Sequence, residues 1–205
     1  MLPRYRIARR RMTASLEERG LLRSEAVKRA FLTVPRECFV PEALAGQAYL
    51  DEALFIGEGQ TVSKPSTIAR MLEALDPEAE DILEIGTGSG YATALLASLA
   101  RRVCTIERHR RLGLRARRAV QSLGFGNVSF KTGDGSVGWA EQAPFTRILA
   151  TAQAREVPPA LRQQLAPGGI LVIPLGERLY RVLRTREGFE TDDLGSASFV
   201  PFVNS

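Results

Sequence analysis

Asp81-Ile82-Leu83-Glu84-Ile85-Gly86-Thr87-Gly88-Ser89-Gly90-Tyr91 is the stretch that decides the fold. Its first five residues form an apolar run around one acid, the length of a buried strand and too short for a helix. Three glycines at alternate positions then make a tight, conformationally permissive turn. Ala92, Leu95, Leu96 and Leu99 follow at helical spacing. Strand, glycine turn and helix in that order place a ligand at the carboxyl edge of a parallel sheet.

Outward from this unit the alternation continues. Residues 102–106, 128–130, 147–151 and 169–174 read as strands, and 112–123 and 159–165 as helices. Residues 179–184 and 198–203 read as a closing antiparallel pair. Before the glycine unit, Tyr5, Ala8, Met12 and Leu16 share a helix face that Gly20 stops, and Val27, Ala30, Phe31 and Val34 share another that Pro35 ends. Residues 41–65 are rich in glycine and proline and read as one long irregular segment, the kind that carries function. Ser66 is placed to cap the next helix, whose apolar face is Ile68, Met71, Leu72 and Leu75. The expectation is an α/β fold: a mostly parallel sheet with helices on both faces, an antiparallel C-terminal strand pair and an N-terminal helical extension.

A chain of 205 residues and 22.5 kDa suits one domain, 1–205, with residues 1–65 as N-terminal helices and loop and 66–205 as the α/β core. With 44% apolar and 25% charged residues it is neither a disordered tail nor a fibre. Its longest apolar stretch, residues 169–175, falls far short of the roughly 20 residues of a membrane-spanning helix. Cys38 and Cys104 can make neither a disulfide framework nor a four-thiolate metal site, so no metal is expected. No apolar segment follows Arg9-Arg10-Arg11, so a soluble, cytoplasmic protein without membrane attachment is expected. The net charge of +5 comes almost entirely from arginine, clustered in residues 4–11 and 108–118. Both clusters fall on helical segments, where a charge run is a solvated face, so nucleic-acid binding is not expected.

The glycine spacing departs from the dinucleotide fingerprint, which needs a sixth-position glycine where this chain has Tyr91. The acid Glu84 just before the turn is awkward beside a pyrophosphate and suited to an ammonium group. The methionyl end of S-adenosylmethionine carries an ammonium and no phosphate. Glu107 closes the second strand about twenty residues on, where an acid accepts ribose hydroxyls. Asp134 ends the third strand and can accept from an adenine amine, with Gly135 giving clearance. The alternative for Glu107 and Asp134 is that they cap the helices that follow. His109 and Cys104 read as a surface residue and core packing.

These residues resemble the protein-L-isoaspartate O-methyltransferase family. The resemblance rests on Val34-Pro35-Arg36, Phe39-Val40-Pro41, Ala48-Tyr49-Leu50-Asp51, Gly57-Glu58-Gly59-Gln60-Thr61-Val62-Ser63 before Pro65, the glycine turn, Ile106-Glu107-Arg108, Gly133-Asp134-Gly135 and Val157-Pro158-Pro159. It implies the Rossmann-like S-adenosylmethionine-dependent methyltransferase fold. It also implies methyl transfer to the α-carboxylate of L-isoaspartyl residues in damaged proteins and peptides, with S-adenosylhomocysteine as by-product and a succinimide on the way to repair. Ser63 is the implied catalytic residue, and the implied cofactor-binding set is Thr61, Val62, Ser63, Glu84, Gly86, Thr87, Gly88, Glu107, Arg108, Asp134 and Gly135. A monomer is expected. Read without the resemblance, the alternative for Ser63 is a turn serine bonding its own backbone.

Glu37, Lys64, Thr146 and Gln153 depart from the family pattern. Thr146 and Gln153 flank the fourth strand, so substrate preference is what they put in question. Lys64 could attract a substrate carboxylate or be a solvated loop lysine. Alternatives to the repair activity are methylation of another peptide carboxylate, or a catalytically silent module that binds the cofactor.

Overall fold

The computed structural model describes residues 3–78 and 80–199. Two helices open the chain, α1 (Pro3–Glu18) and α2 (Glu25–Thr33). Gly20, at φ +69°, ends the first, and the Ser24 side chain accepts from the Val27 N–H to cap the second. Two 3-10 turns follow, Arg36–Phe39 and Glu42–Gln47. The segment expected to be irregular then contains a hairpin, β1 (Leu54–Gly57) and β2 (Gln60–Val62). Its turn residues Glu58 and Gly59 both have positive φ, the backbone of a tight hairpin loop. Asn-Gly or Asp-Gly would have announced that loop, whereas glutamate rarely takes this conformation.

Helix α3 (Pro65–Leu75) begins one residue before Ser66, with its proline at the first turn. Ser66 does not cap it; the Asp51 carboxylate accepts from the Ser66 N–H at 2.8 Å. Then come β3 (Asp81–Ile85), α4 (Tyr91–Leu99), β4 (Arg102–Glu107), α5 (Arg110–Ser122), β5 (Val128–Thr132), β6 (Phe145–Ala150), α6 (Pro159–Gln164), β7 (Leu165–Leu175), β8 (Arg178–Arg184) and β9 (Phe189–Ser196). The seven-stranded sheet runs β5-β4-β3-β6-β7-β8-β9. Strands β3 to β7 are parallel and the last two pair antiparallel. The closing pair is therefore 178–184 with 189–196; Ser198 and Phe199 are not strand, and 200–203 lie outside the described residues.

Pleating divides the sheet between two cores. Ile82, Val103, Leu149 and Val172 face α3, α4 and α5, with α1 and α2 packed beyond. Leu83, Ile85, Cys104, Ile106, Ile148 and Leu171 face the opposite layer, where Leu161 of α6 and Val157 complete the packing. Each such side chain, fully buried, contributes about 1.5–3 kcal/mol. The chain runs from β3 outward to β5, then returns to β6 on the other side of β3. That reversal opens a crevice at the carboxyl ends of β3, β4 and β6, the place where ligands bind in open α/β sheets.

Candidate active site

Two glycines of the turn, Gly86 and Gly90, stand where a side chain would collide with a neighbour. Gly86 sits at φ +91°, and a Cβ there would stand 2.7 Å from Thr151 Oγ1, whose hydroxyl donates to the Gly86 carbonyl. Gly90, at φ +89°, lies where a Cβ would meet Ala116 at 3.0 Å, so it lets α4 approach α5. At Gly135 a Cβ would lie 2.3 Å from Ile85 Cγ2, so the clearance it gives serves a protein side chain.

A void of about 620 Å³, open to solvent, lies over this turn. Of the expected cofactor set, Thr61, Gly86, Gly88, Glu107, Arg108, Asp134 and Gly135 line it, brought there by the hairpin and by the ends of β3, β4 and β5. Glu107 does two things at once. Its Oε2 accepts from the Gly88 N–H at 2.7 Å and its Oε1 from the His109 N–H at 2.8 Å, so it holds the turn and the start of α5 while facing the cavity. Asp134 likewise accepts from the Ser136 N–H at 2.8 Å and remains a wall. Asp134 thus caps the short 3-10 turn at 135–137, whereas Glu107 holds the N–H of His109, the residue before α5, and does not cap that helix; both carboxylates also face the cavity.

Glu84, Thr87 and Val62 are not walls. Val62 is buried in the core. Pleating puts Glu84 on the face of Ile82, beneath α4, while Ile85 turns toward the cavity. Its Oε2 accepts from Thr93 Oγ1 at 2.6 Å and Thr105 Oγ1 at 2.7 Å, and Thr105 Oγ1 lies 2.6 Å from Thr87 Oγ1. The result is a buried polar network under the glycine turn. Glu84 Oε1 has no hydrogen-bond partner among the described residues. Complete burial raises the Glu84 carboxyl to about 7, outweighing the two threonine hydroxyls that favour its ionised form.

Ser63 lines a second, adjacent cleft of about 1140 Å³. Thr61 and Thr151 belong to both spaces, so the two cavities meet there. Ser63 sits between β2 and α3, and its position is held from both sides. The fully buried Arg36 donates from Nη2 to the Ser63 carbonyl at 2.9 Å and to the Glu52 carbonyl at 3.2 Å, and from Nη1 to the Ala48 carbonyl. Three residues on, Asp51 holds the Ser66 N–H.

Several residues of the site escaped the sequence reading. His109 is no surface bystander: it precedes α5 and lines the first cavity, and its buried Nε2 has no hydrogen-bond partner among the described residues. Gln60 and Thr151 are walls too. The arginine clusters are not wholly solvated. Arg9 is buried against Tyr49 and Glu37, which accounts for the departure at Glu37, and Arg115 donates to the Ile56 carbonyl at 2.7 Å, tying α5 to the hairpin. Thr146 stands at the amino end of β6, away from the crevice, with its hydroxyl bridging the Asp81 N–H and carbonyl at 3.1 Å each. It is a strand-pairing residue and does not face the site. Gln153 lines neither cavity.

Among the described residues no cluster of His, Cys, Asp and Glu could hold a metal ion, and no helix is long and apolar enough to cross a membrane. Residues 8–205 match the family model of the Protein-L-isoaspartate(D-aspartate) O-methyltransferase (PCMT). The chain belongs to this family. The methyltransferase is 45% identical over 204 residues to a protein-L-isoaspartate O-methyltransferase of Dictyoglomus thermophilum, covering 97% of this chain and 92% of the relative. It is 46% identical over 197 residues to one of Shewanella baltica, covering 94% and 93%. The crystal structure of a protein-L-isoaspartate O-methyltransferase of Plasmodium falciparum in complex with S-adenosyl-L-homocysteine matches with a TM-score of 0.83 at 24% identity, covering 94% of this chain and 96% of that one. That likeness shows a common methyltransferase fold.

Proposed function

We infer that this methyltransferase moves a methyl group from S-adenosylmethionine to the free α-carboxylate of L-isoaspartyl residues in damaged proteins and peptides, which opens repair through a succinimide. The observation that carries the reading is the junction at Thr61 and Thr151, where the cavity over the glycine turn meets the cleft holding Ser63. The first cavity fits the cofactor: two acids face it, a buried imidazole nitrogen lacks a partner among the described residues, and Ile85 and Ile106 give it apolar walls. S-adenosylmethionine, when bound, supplies a methyl group on a sulfonium that leaves as a neutral thioether. Glu107 would accept the ribose hydroxyls, and Asp134 and His109 would meet the adenine end.

The residues around Ser63 have little chemistry to perform. An α-carboxylate of pKa about 3.5 is already ionised at neutral pH, so it needs no general base. The protein's task is to align it and strip its water. The Ser63 hydroxyl would donate to one carboxylate oxygen and leave the other free to attack. The resulting ester is a better electrophile than the carboxylate, so the neighbouring backbone nitrogen attacks its carbonyl, gives up its proton and expels methanol, closing the succinimide without further help.

Transfer of labelled methyl to a short isoaspartyl peptide, beside its normal aspartyl twin, tests this. Base-labile label on the isoaspartyl peptide alone is expected, and Ser63→Ala should lose about 10- to 100-fold in kcat, the worth of one hydrogen bond to a charged group. Label on neither peptide, with S-adenosylhomocysteine still bound, would leave the silent module as the better reading. Glu107→Gln should weaken S-adenosylhomocysteine binding about tenfold by calorimetry, because the amide cannot accept at both ends. Unchanged affinity would remove Glu107 from the cofactor site.

A further inference from the structure

We propose that Lys64 makes this methyltransferase favour isoaspartyl peptides that carry a second anionic group next to the isoaspartyl residue; the proposal rests on the activity inferred above. Among the described residues, the cleft beside Ser63 carries positive charge that no carboxylate in its walls offsets. Its described walls include Lys64 and Arg70 and no carboxylate. Arg70 is spent on structure, donating to the Leu194 and Ser196 carbonyls, and neither oxygen neutralises its charge. Asp51, the acid bound to Ser66, is already committed, with Oδ1 on the Ser66 N–H and Oδ2 paired with Arg19 at 2.9 Å. Lys64 is exposed at the cleft, its carbonyl accepts from the Thr67 and Ile68 N–H groups, and its ammonium has no hydrogen bond or ion pair with any described residue.

A free ammonium on a flexible stem, one residue from Ser63, can act on either of two carboxylates. Pairing with the reacting carboxylate would draw charge from the attacking oxygen and slow transfer. The neutral hydroxyl of Ser63 orients that group without this cost. The useful target for Lys64 is therefore a different anion, an acidic side chain before or after the isoaspartyl residue or a nearby chain-terminal carboxylate. Such a contact, made equally before and during transfer, changes KM and leaves kcat alone. Being exposed, it should also weaken with salt.

The test compares isoaspartyl hexapeptides with Glu, Gln or Lys beside the isoaspartyl residue, using the full chain and its K64Q and K64R variants. For the unmodified enzyme kcat/KM should favour Glu over Gln by about three- to fivefold at low salt, the range of an exposed ion pair. The difference should lie in KM and shrink as salt is raised. K64Q should bring the ratio to one and K64R should restore it. Equal turnover of all three peptides, or a preference that survives in K64Q, overturns the role of Lys64 while isoaspartyl methylation stands. Absence of turnover on every isoaspartyl peptide overturns the activity, and this specificity with it.

Discussion

Arg36→Met should lower the melting temperature by roughly 10 °C, the effect of about 3–5 kcal/mol on a chain of this size. Arg36 is fully buried, and burial pushes its guanidinium below the ordinary arginine range, although arginine stays charged in proteins. No carboxylate lies within ion-pair distance among the described residues. The charge is held instead by the carbonyls of Ala48, Glu52 and Ser63 and by the Tyr91 ring, 5.5 Å from the guanidinium carbon. Methionine fills much of the volume but leaves three carbonyls without a donor, each costing about 1–3 kcal/mol if water cannot reach it. Because the total stability of a domain is only about 5–15 kcal/mol, Arg36→Lys is the informative companion. It keeps the charge but cannot span three carbonyls in one plane. It should fold with a smaller loss and show a reduced kcat with unchanged S-adenosylhomocysteine affinity, since the loosened residue is Ser63. A melting curve for Arg36→Met within a degree or two of the unmodified protein would remove Arg36 as the anchor of this loop.

That anchor also shows where sequence reading succeeds and where it stops. The strand, glycine turn and helix at 81–99 were legible because glycine spacing and apolar periodicity are local signals, and they placed the crevice correctly. Glu107 and Asp134 were legible for the same reason, standing at strand ends a fixed distance from the turn. The hairpin at 54–62 was missed because its turn uses Glu58 at positive φ, a choice with no strong local signature. Arg36 was seen as part of a motif, but its contacts lie 12, 16 and 27 residues away. His109 was read as a surface residue because nothing local says that the chain leaving β4 turns it into the cavity wall. Thr146 was read correctly as flanking the fourth strand, but it lies at the amino end of β6, opposite the crevice, so its bearing on substrate preference does not follow from that position. The direction of Glu84 depended on strand phase, which a five-residue apolar run does not define.

Glu84 leads to a pH dependence that the network under the glycine turn imposes. Its carboxyl is raised from about 4.5 unfolded to about 7 folded, so the folded state holds a proton that the unfolded chain releases between those values. Folding is therefore favoured by this group below about pH 4.5, and the contribution is lost as pH rises through 7. A shift of that size corresponds to about 3 kcal/mol, because each pKa unit is about 1.4 kcal/mol. Other carboxylates act oppositely, so the effect must be read as a difference between two proteins. Glu84→Gln keeps an acceptor for Thr93 and Thr105 and removes the charge, while its amide occupies the place of the unpartnered Oε1. The gap in melting temperature between variant and unmodified protein should shift in the variant's favour as pH rises from 5 to 8, and level off above. Parallel curves across that range would mean that the carboxylate finds compensation at neutral pH and that its buried oxygen is not alone. If the gap opens as expected, the acid under the turn costs stability at neutral pH. Its retention there would then follow from the geometry it gives the turn, through the chain Thr93, Glu84, Thr105 and Thr87, and not from any contribution to folding.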